Sequence, residues 1–337
     1  MSKIFLIGAT GHIGGAVLDL VYPKYPNAEI KALVRDEKKG EVLVGKYPRV
    51  KVVIGDFKTL DILTREAKEA DLVINAGPDH EEDIAITAIL AGLANHSPKT
   101  YYIHTSGAAL VWDSPDGTQP GTKIWDDVID IQGLKSFPST TVHATTDALV
   151  FAAAPDTNVA IISPTVVYGL SPSSIHPTPI TLPPLIDVLT KLNSGFTLNT
   201  GVNVQGYIHV LDLAQIYLLL IDDALKNPSS ADPKKWGPES YYFGASEDLS
   251  FKEYMTYLVS HLSAAPYNLI QDSIKQLALP DAIEVVGLLS AYYFGTYVRV
   301  ASTRAKDVLG WVAKEKLVGE GLGEVLAIYF KGKNGGV

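Results

Sequence analysis

The 337-residue chain contains no cysteine and only two methionines. The first absence excludes a disulfide framework, a thiolate zinc site and a cysteine nucleophile. Histidine is sparse: eight residues leave a metal site possible, but there is no His-x-x-x-His pair and no metal ligand is assigned. Long hydrophobic runs are missing too: the stretches around Leu218–Ile221 and from Val285 to Phe294 fall short of the roughly 20 apolar residues that cross a bilayer. No basic cluster is denser than Lys38-Lys39 or Lys234-Lys235, and the formal net charge is −9. Nucleic acid and membrane are therefore poor partners, and a small molecule is the expected ligand. Nothing at the amino terminus reads as a signal peptide, so a cytoplasmic location is expected. There is neither an internal repeat nor a low-complexity segment.

What is present is a large apolar fraction, 47% of residues, and one turn that stands out. The run Gly8-Ala9-Thr10-Gly11-His12-Ile13-Gly14-Gly15 directly follows the apolar stretch Ile4–Ile7 and leads into apolar residues at helical spacing, Ile13, Val17, Leu18, Leu20 and Val21. A strand ending in clustered glycines and running into a helix lets backbone amides and the helix dipole approach a pyrophosphate closely. The pattern predicts a dinucleotide-binding turn.

Beyond it, strand-like runs at Ile30–Val34, Val50–Ile54, Leu72–Asn75, Tyr101–His104 and Val159–Ile162 alternate with helical segments at Glu37–Gly45, Leu60–Glu69, Glu81–Ala94 and Thr141–Ala153. The strands are apolar on consecutive residues, as strands covered on both faces are. The alternation predicts an α/β fold, a Rossmann-type doubly wound parallel sheet, with a smaller, mixed carboxyl-terminal substrate-binding region. The expected division is residues 1–164 for the nucleotide-binding domain and 165–337 for the substrate region, interleaved around 200–245. Five prolines between 171 and 184 predict an ordered loop there. Further helices are expected at Leu185–Leu192, Leu211–Leu225, Phe251–Leu262, Ala282–Phe294 and Gly321–Phe330, a strand at Tyr241–Phe243, and a surface excursion at 227–238.

Seven motifs in order give the chain a family likeness. Gly8-Ala9-Thr10-Gly11-His12-Ile13-Gly14, Gly55-Asp56, Asn75-Ala76-Gly77, Thr105-Ser106, Pro164-Thr165-Val166-Val167-Tyr168-Gly169, Ile208-His209-Val210-Leu211-Asp212-Leu213-Ala214 and Ser302 to Trp311 resemble the signature segments of the extended or atypical short-chain dehydrogenases/reductases, of the NAD-dependent epimerase/dehydratase type. The resemblance implies cofactor contacts at Gly8, Thr10, Gly11, His12, Ile13 and Gly14, at Asp56 and Phe57, at Ala76 and Gly77, at Thr105, and at Pro164 and Val166. It implies substrate contacts at Gly107, Trp112, Val167 and Tyr168. Charge selects the cofactor: the second strand ends in Arg35, which suits the 2′-phosphate of NADP better than the bare ribose of NAD. Asp36 is read as the cap of the next helix, pointing away.

The family's tyrosine and lysine, four residues apart on the helix after the fifth strand, are missing. His143 and Asp147 stand in their place, as in a divergent fungal branch of the family with His and Asp at these positions. On a helix these two share a face, where the carboxylate would orient the imidazole and raise its pKa. Ser106, His143, Asp147 and Tyr168 are thus the candidate catalytic residues, whereas His104 and His209 are read as satisfied structural histidines. The expected activity is NADP(H)-dependent oxidoreduction of a carbonyl or alcohol on a moderately apolar small molecule. A non-redox isomerase, epimerase, lyase or cyclase using His143 and Asp147, and a catalytically silent NADP-binding sensor, are the alternatives. The apolar face of the Thr141–Ala153 helix allows a homodimer.

Overall fold

The computed structural model describes residues 2–335. Strands β1 (Lys3–Ile7), β2 (Glu29–Val34), β3 (Lys51–Ile54), β4 (Leu72–Asn75) and β5 (Tyr101–Thr105) alternate with helices α1 (His12–Lys24), α2 (Glu37–Lys46), α3 (Leu60–Glu69) and α4 (Asp83–Leu93). The chain continues through β6 (Ile124–Asp126), α5 (Ile131–Leu134), α6 (Ala144–Ala152), β7 (Asn158–Pro164), β8 (Val166–Tyr168), α7 (Leu182–Leu192), β9 (Gly195–Leu198), β10 (Val204–His209) and α8 (Val210–Lys226). It ends with β11 (Tyr241–Gly244), β12 (Glu247–Ser250), α9 (Phe251–Leu262), β13 (Ile274–Leu277), α10 (Leu279–Val286), α11 (Leu288–Gly295), β14 (Arg299–Ala301), α12 (Thr303–Leu309) and α13 (Val318–Gly335).

Seven strands form one parallel sheet in the order β11-β7-β5-β4-β1-β2-β3. The chain reverses its direction of strand addition between β1 and β4, and in doubly wound sheets ligands bind in the crevice at the carboxyl ends of such a pair. Successive residues of β1 feed opposite cores. Ile4 and Leu6 pack with Val17, Leu18, Leu213, Ile216 and Leu220 of α1 and α8. Phe5 and Ile7 pack with Leu63, Ile86, Ile89 and Val150 of α3, α4 and α6. Each such side chain, fully buried, contributes about 1.5–3 kcal/mol, so both layers are held firmly and the ends of β1 and β4 are fixed in space. A third core gathers α7, α9 and α13 around Leu189, Phe196, Phe251, Met255 and Leu326. The smaller sheets are β12-β10-β8, β13-β9 and β14-β6.

The strands expected in the first 164 residues are all present. Several helices differ from the sequence reading: α13 is longer at both ends than the expected Gly321–Phe330, and three others differ for local reasons. The predicted Thr141–Ala153 helix begins only at Ala144, because His143 adopts a left-handed backbone, φ 70°. The Ala282–Phe294 helix is two, broken at Gly287, φ 81°. α7 starts at Leu182, since Pro183 and Pro184 fit the first turn, where no amide is needed. The 227–238 excursion is anchored by Trp236, which is buried, donates from Nε1 to Asp223 at 2.8 Å and meets the Tyr101 ring edge-on. Among the described residues no helix is long and apolar enough to cross a membrane.

Candidate functional site

The glycine turn lies at the carboxyl end of β1 and is pressed against the turn after β4. Gly8 has φ 85°, and a Cβ there would stand 2.6 Å from the Ala76 carbonyl carbon and oxygen. A Cβ on Gly14 would overlap the Gly8 carbonyl oxygen. Only glycine allows both the left-handed turn and this approach of backbone to backbone. Gly11 caps α1 without a side-chain hydrogen bond, so the first-turn amides of the helix are available to an anion. This cradle fits a dinucleotide pyrophosphate.

The proline-rich segment folds over its outer side. Ser173 Oγ donates to the Thr10 carbonyl at 3.0 Å and Ser171 Oγ to that of His12 at 2.7 Å, while Lys46 Nζ donates to Pro172 O at 2.6 Å. His12 Nδ1 meets the His176 carbonyl at 3.2 Å, while Nε2 is buried without a partner. Ile13 packs against the core of the α1 and α8 layer.

Arg35 is exposed at the end of β2 and, among the described residues, pairs with no carboxylate. Asp36 caps α2 as expected, accepting from Lys39 N at 2.9 Å and pairing with Lys39 Nζ at 3.2 Å. The Phe57 ring lies on Gly77, whose Cβ would fall 2.8 Å from Phe57 Cζ, and Asp56 turns its carboxylate to its own loop, accepting from Lys58 N at 2.9 Å. Gly77 is itself fixed by Asn75 Oδ1, which accepts its amide at 3.1 Å.

Across the end of β5 the structure assembles a polar cluster that the sequence reading saw only in part. His143 and Asp147 do not pair side chain to side chain. His143 is the residue before α6 rather than part of it, and its left-handed backbone swings the ring to Asp79, with Nδ1 2.9 and 2.8 Å from the two carboxylate oxygens. Such a conformation costs a non-glycine residue on the order of 1–3 kcal/mol, comparable to what a charge-assisted hydrogen bond returns. Thr146 Oγ1 reinforces Asp79 at 2.9 Å. The His143 ring rests on Gly107, where a Cβ would lie 2.5 Å from Nε2.

Asp147 turns inward instead. Its Oδ2 accepts from Ser106 Oγ at 3.0 Å, and its Oδ1 lies 3.9 Å from His104 Nε2. His104 is not a satisfied structural histidine. Its Nδ1 meets the Tyr102 hydroxyl at 3.0 Å, but Nε2 is buried without a partner, 3.6 Å from Asp79 Oδ2. That separation is a contact, not a hydrogen bond.

Burial and pairing set the charges. Burial works to raise the Asp79 carboxyl, but the imidazoles of His104 and His143 outweigh it and hold it well below the usual carboxylate range. Burial works to lower His143, and the hydrogen bond and charge of Asp79 outweigh it, so its pKa is raised. Burial pushes Asp147 up to about 6.

Two further readings are corrected. Tyr168 is not a free phenol at the site: its hydroxyl donates to the Lys316 carbonyl at 2.8 Å, its ring meets His209 edge-on, and burial pushes its pKa well up. The Thr105 hydroxyl is spent on the Asn75 carbonyl and the Tyr217 hydroxyl, both at 2.6 Å, tying β5 to β4 and α8 rather than facing a ligand. His209 is structural as expected, its Nδ1 accepting from Leu211 N at 3.2 Å.

Pro164 ends β7, and Val166 and Val167 pair β8 with β10. Trp112 meets Tyr293 edge-on with ring centroids 6.3 Å apart, joining the segment after β5 to α11. A small, mostly apolar cavity of about 20 Å³ lies among Tyr168, Gly169, Leu182, Tyr254, Val318 and Leu322. The larger concavity, about 350 Å³ and lined by Ser2, Lys24, Tyr25 and Leu225, opens at the opposite, amino-terminal end of β1 and has no part in the site.

The residues the sequence reading missed are Asp79, His104 and Thr146. The signal for Asp79 was its place in the turn after β4, and for His104 its place next to Thr105-Ser106.

Known proteins match this picture in fold. The NmrA-like family model matches residues 1–133. "Oxidase ucsJ" of Acremonium sp is 26% identical over 336 residues, covering 92% of each chain. Among solved structures, a double mutant of DesIV, the dTDP-glucose 4,6-dehydratase of Streptomyces venezuelae with NAD and DAU bound, superposes with a TM-score of 0.69 at 16% identity, over 98% of each chain. The UDP-glucuronic acid 4-epimerase of Bacillus cereus, in complex with UDP-glucuronic acid and NAD, gives 0.65 at 12% identity, over 98% of this chain and 99% of that one. The chain thus shares the fold of these dehydratase and epimerase structures, and its residues 1–133 are similar to the NmrA-like family.

Proposed function

We propose that the chain is an NADP(H)-dependent oxidoreductase acting on a carbonyl or alcohol of a moderately apolar small molecule. The observation that carries this reading is the His143 imidazole, clamped through Nδ1 by Asp79 and resting with Nε2 on Gly107 at the carboxyl end of the sheet. Gly8, Gly11 and Gly14 would hold the pyrophosphate and Arg35 the 2′-phosphate, and the bound nicotinamide supplies hydride.

This chain's own residues do the rest. The Asp79 clamp keeps the proton on Nδ1, so Nε2 is the atom that exchanges a proton with a substrate oxygen, and the neighbouring carboxylate stabilises the imidazolium. Ser106 donates its hydroxyl hydrogen to Asp147 at 3.0 Å; with Asp147 protonated, that hydroxyl would be free to donate to the same oxygen. The Trp112–Tyr293 pair, joining the segment after β5 to α11, supports an apolar substrate.

The test is NADPH consumption by the purified chain against a panel of carbonyl compounds, with His143→Ala alongside. Turnover that His143→Ala abolishes is expected. Full activity in the variant would remove His143 from the reaction, and no affinity for either nicotinamide nucleotide would remove the redox reading.

The second reading is a non-redox isomerase or lyase. It is favoured by the replacement of the usual tyrosine and lysine by a carboxylate–imidazole cluster, in a fold shared with a dehydratase and an epimerase. It predicts product formation with no net change in nucleotide absorbance.

A further inference from the structure

Three ligand-type atoms face one another where the β4 turn, β5 and α6 meet: Asp79 Oδ2, His104 Nε2 and Asp147 Oδ1, all within 4.8 Å of one another. His104 Nε2 stands 3.6 Å from the first oxygen and 3.9 Å from the second, too far for a direct hydrogen bond to either. His104 is fully buried and Asp147 is 2% exposed, yet Nε2 and Oδ1 have no partner. Leaving such groups unmade costs about 1–3 kcal/mol each, more where they are charged. Among the described residues no lysine or arginine bonds to either carboxylate, so two buried acids face each other with imidazoles alone for compensation.

The other atoms of the same side chains are all held. Tyr102 OH fixes His104 Nδ1 at 3.0 Å and Ser106 Oγ fixes Asp147 Oδ2 at 3.0 Å. His143 bridges both Asp79 oxygens and can bond through Oδ1 alone, at 2.9 Å, leaving Oδ2 to Thr146 and one further partner. Ligands oriented from behind, with their free ends converging, are the pattern of a metal site with its outer shell. Two ligands about 2.1 Å from a tetrahedral ion stand about 3.4 Å apart; His104 Nε2 lies 3.6 and 3.9 Å from the two carboxylates, and the two carboxylate oxygens lie within 4.8 Å of one another, so the three ligands need to close only slightly around an ion.

We propose that Asp79, His104 and Asp147 bind one divalent transition-metal ion. One imidazole and two carboxylates suit zinc, manganese, iron(II) or cobalt(II) and disfavour copper(I), which prefers sulfur. The ion fastens the β4 turn, β5 and α6 together and fixes the carboxylate that clamps His143. The proposal is independent of the reaction assigned above, because it concerns the occupant of the cluster and not the turnover.

The experiment uses the full chain, stripped with a chelator, dialysed and titrated with cobalt(II) in the absence of nucleotide. Expected are one equivalent bound, a visible absorption band of low-coordinate cobalt that zinc(II) abolishes, and a higher melting temperature. His104→Gln and Asp147→Asn should lose the band. Ser106→Ala, which only frees the back of Asp147, should weaken binding by roughly 10–100-fold. Should either ligand variant misfold, the wild-type stoichiometry and the Ser106→Ala affinity decide. Binding of well under one equivalent by the wild-type chain, the result expected if only water fills the gap, overturns the proposal. So does cobalt binding undiminished in folded His104→Gln and Asp147→Asn. Failure to bind nucleotide would sink the redox reading and leave this one standing.

Discussion

Replacing Gly107 by alanine moves His143 with a single methyl group. The backbone at Gly107 is extended, φ −161° and ψ 147°, so alanine adopts it without strain. Its Cβ would lie 2.5 Å from His143 Nε2, 3.1 Å from Cε1 and 3.3 Å from Cδ2. Non-bonded heavy atoms settle at about 3.5–4.0 Å, so the ring must retreat by about 1 Å. It cannot do so and keep both contacts to Asp79, which are already 2.8 and 2.9 Å long. A misplacement of about 1 Å costs on the order of 100-fold in rate, and the overpacking costs about 1–3 kcal/mol of stability. The cofactor cradle at Gly8 to Gly14 is built by other residues and should be untouched. The assay is kcat with whichever carbonyl of the panel the wild-type chain reduces, beside the Kd for NADPH by calorimetry. The expected result is a fall of about 100-fold in kcat with Kd unchanged. A folded Gly107→Ala protein with full kcat would refute the role given to the His143 imidazole.

Arg35→Ala should weaken NADPH binding by about tenfold or more, the worth of a charge-assisted hydrogen bond, and leave NADH unchanged; equal loss for both nucleotides would remove Arg35 from the 2′-phosphate. Gly14→Ala should abolish nucleotide binding, since its Cβ would overlap the Gly8 carbonyl oxygen. Gly45→Ala, in α2 with nothing within 4 Å of the added carbon, should instead stabilise the fold by about 0.5–1 kcal/mol in urea denaturation. Burial lowers His12 from 6.5 to about 4. Its neutral form therefore favours the fold, and that stability is complete above pH 6.5 and lost as pH falls through about 4. Urea midpoints should drop over this window, and His12→Asn should flatten the drop.

β6 and α5 were not legible in the sequence, whereas the parallel strands β1–β5 and β7 with helices α1–α4, the glycine cradle, the Asp36 cap and the exposed Arg35 were. Each is local: apolar runs of strand length, a glycine where φ must be positive, a carboxylate just before a helix. The break at Gly287 and the early start of α7 at Leu182 were also local, but depended on backbone angles that residue types alone do not fix.

The candidate site was half legible. His143 and Asp147 stood out as replacements, but their pairing was inferred from helical spacing, and His143 lies outside the helix with a left-handed backbone. That single angle sends its ring to Asp79, 64 residues earlier in the chain. Periodicity and turn geometry act between near neighbours, so the order of residues sets the architecture and the glycine cradle. Which acid holds which imidazole is a long-range matter, because parallel pairing of β4 with β5 and the docking of α6 bring Asp79, His104 and Asp147 together from segments with no common spacing.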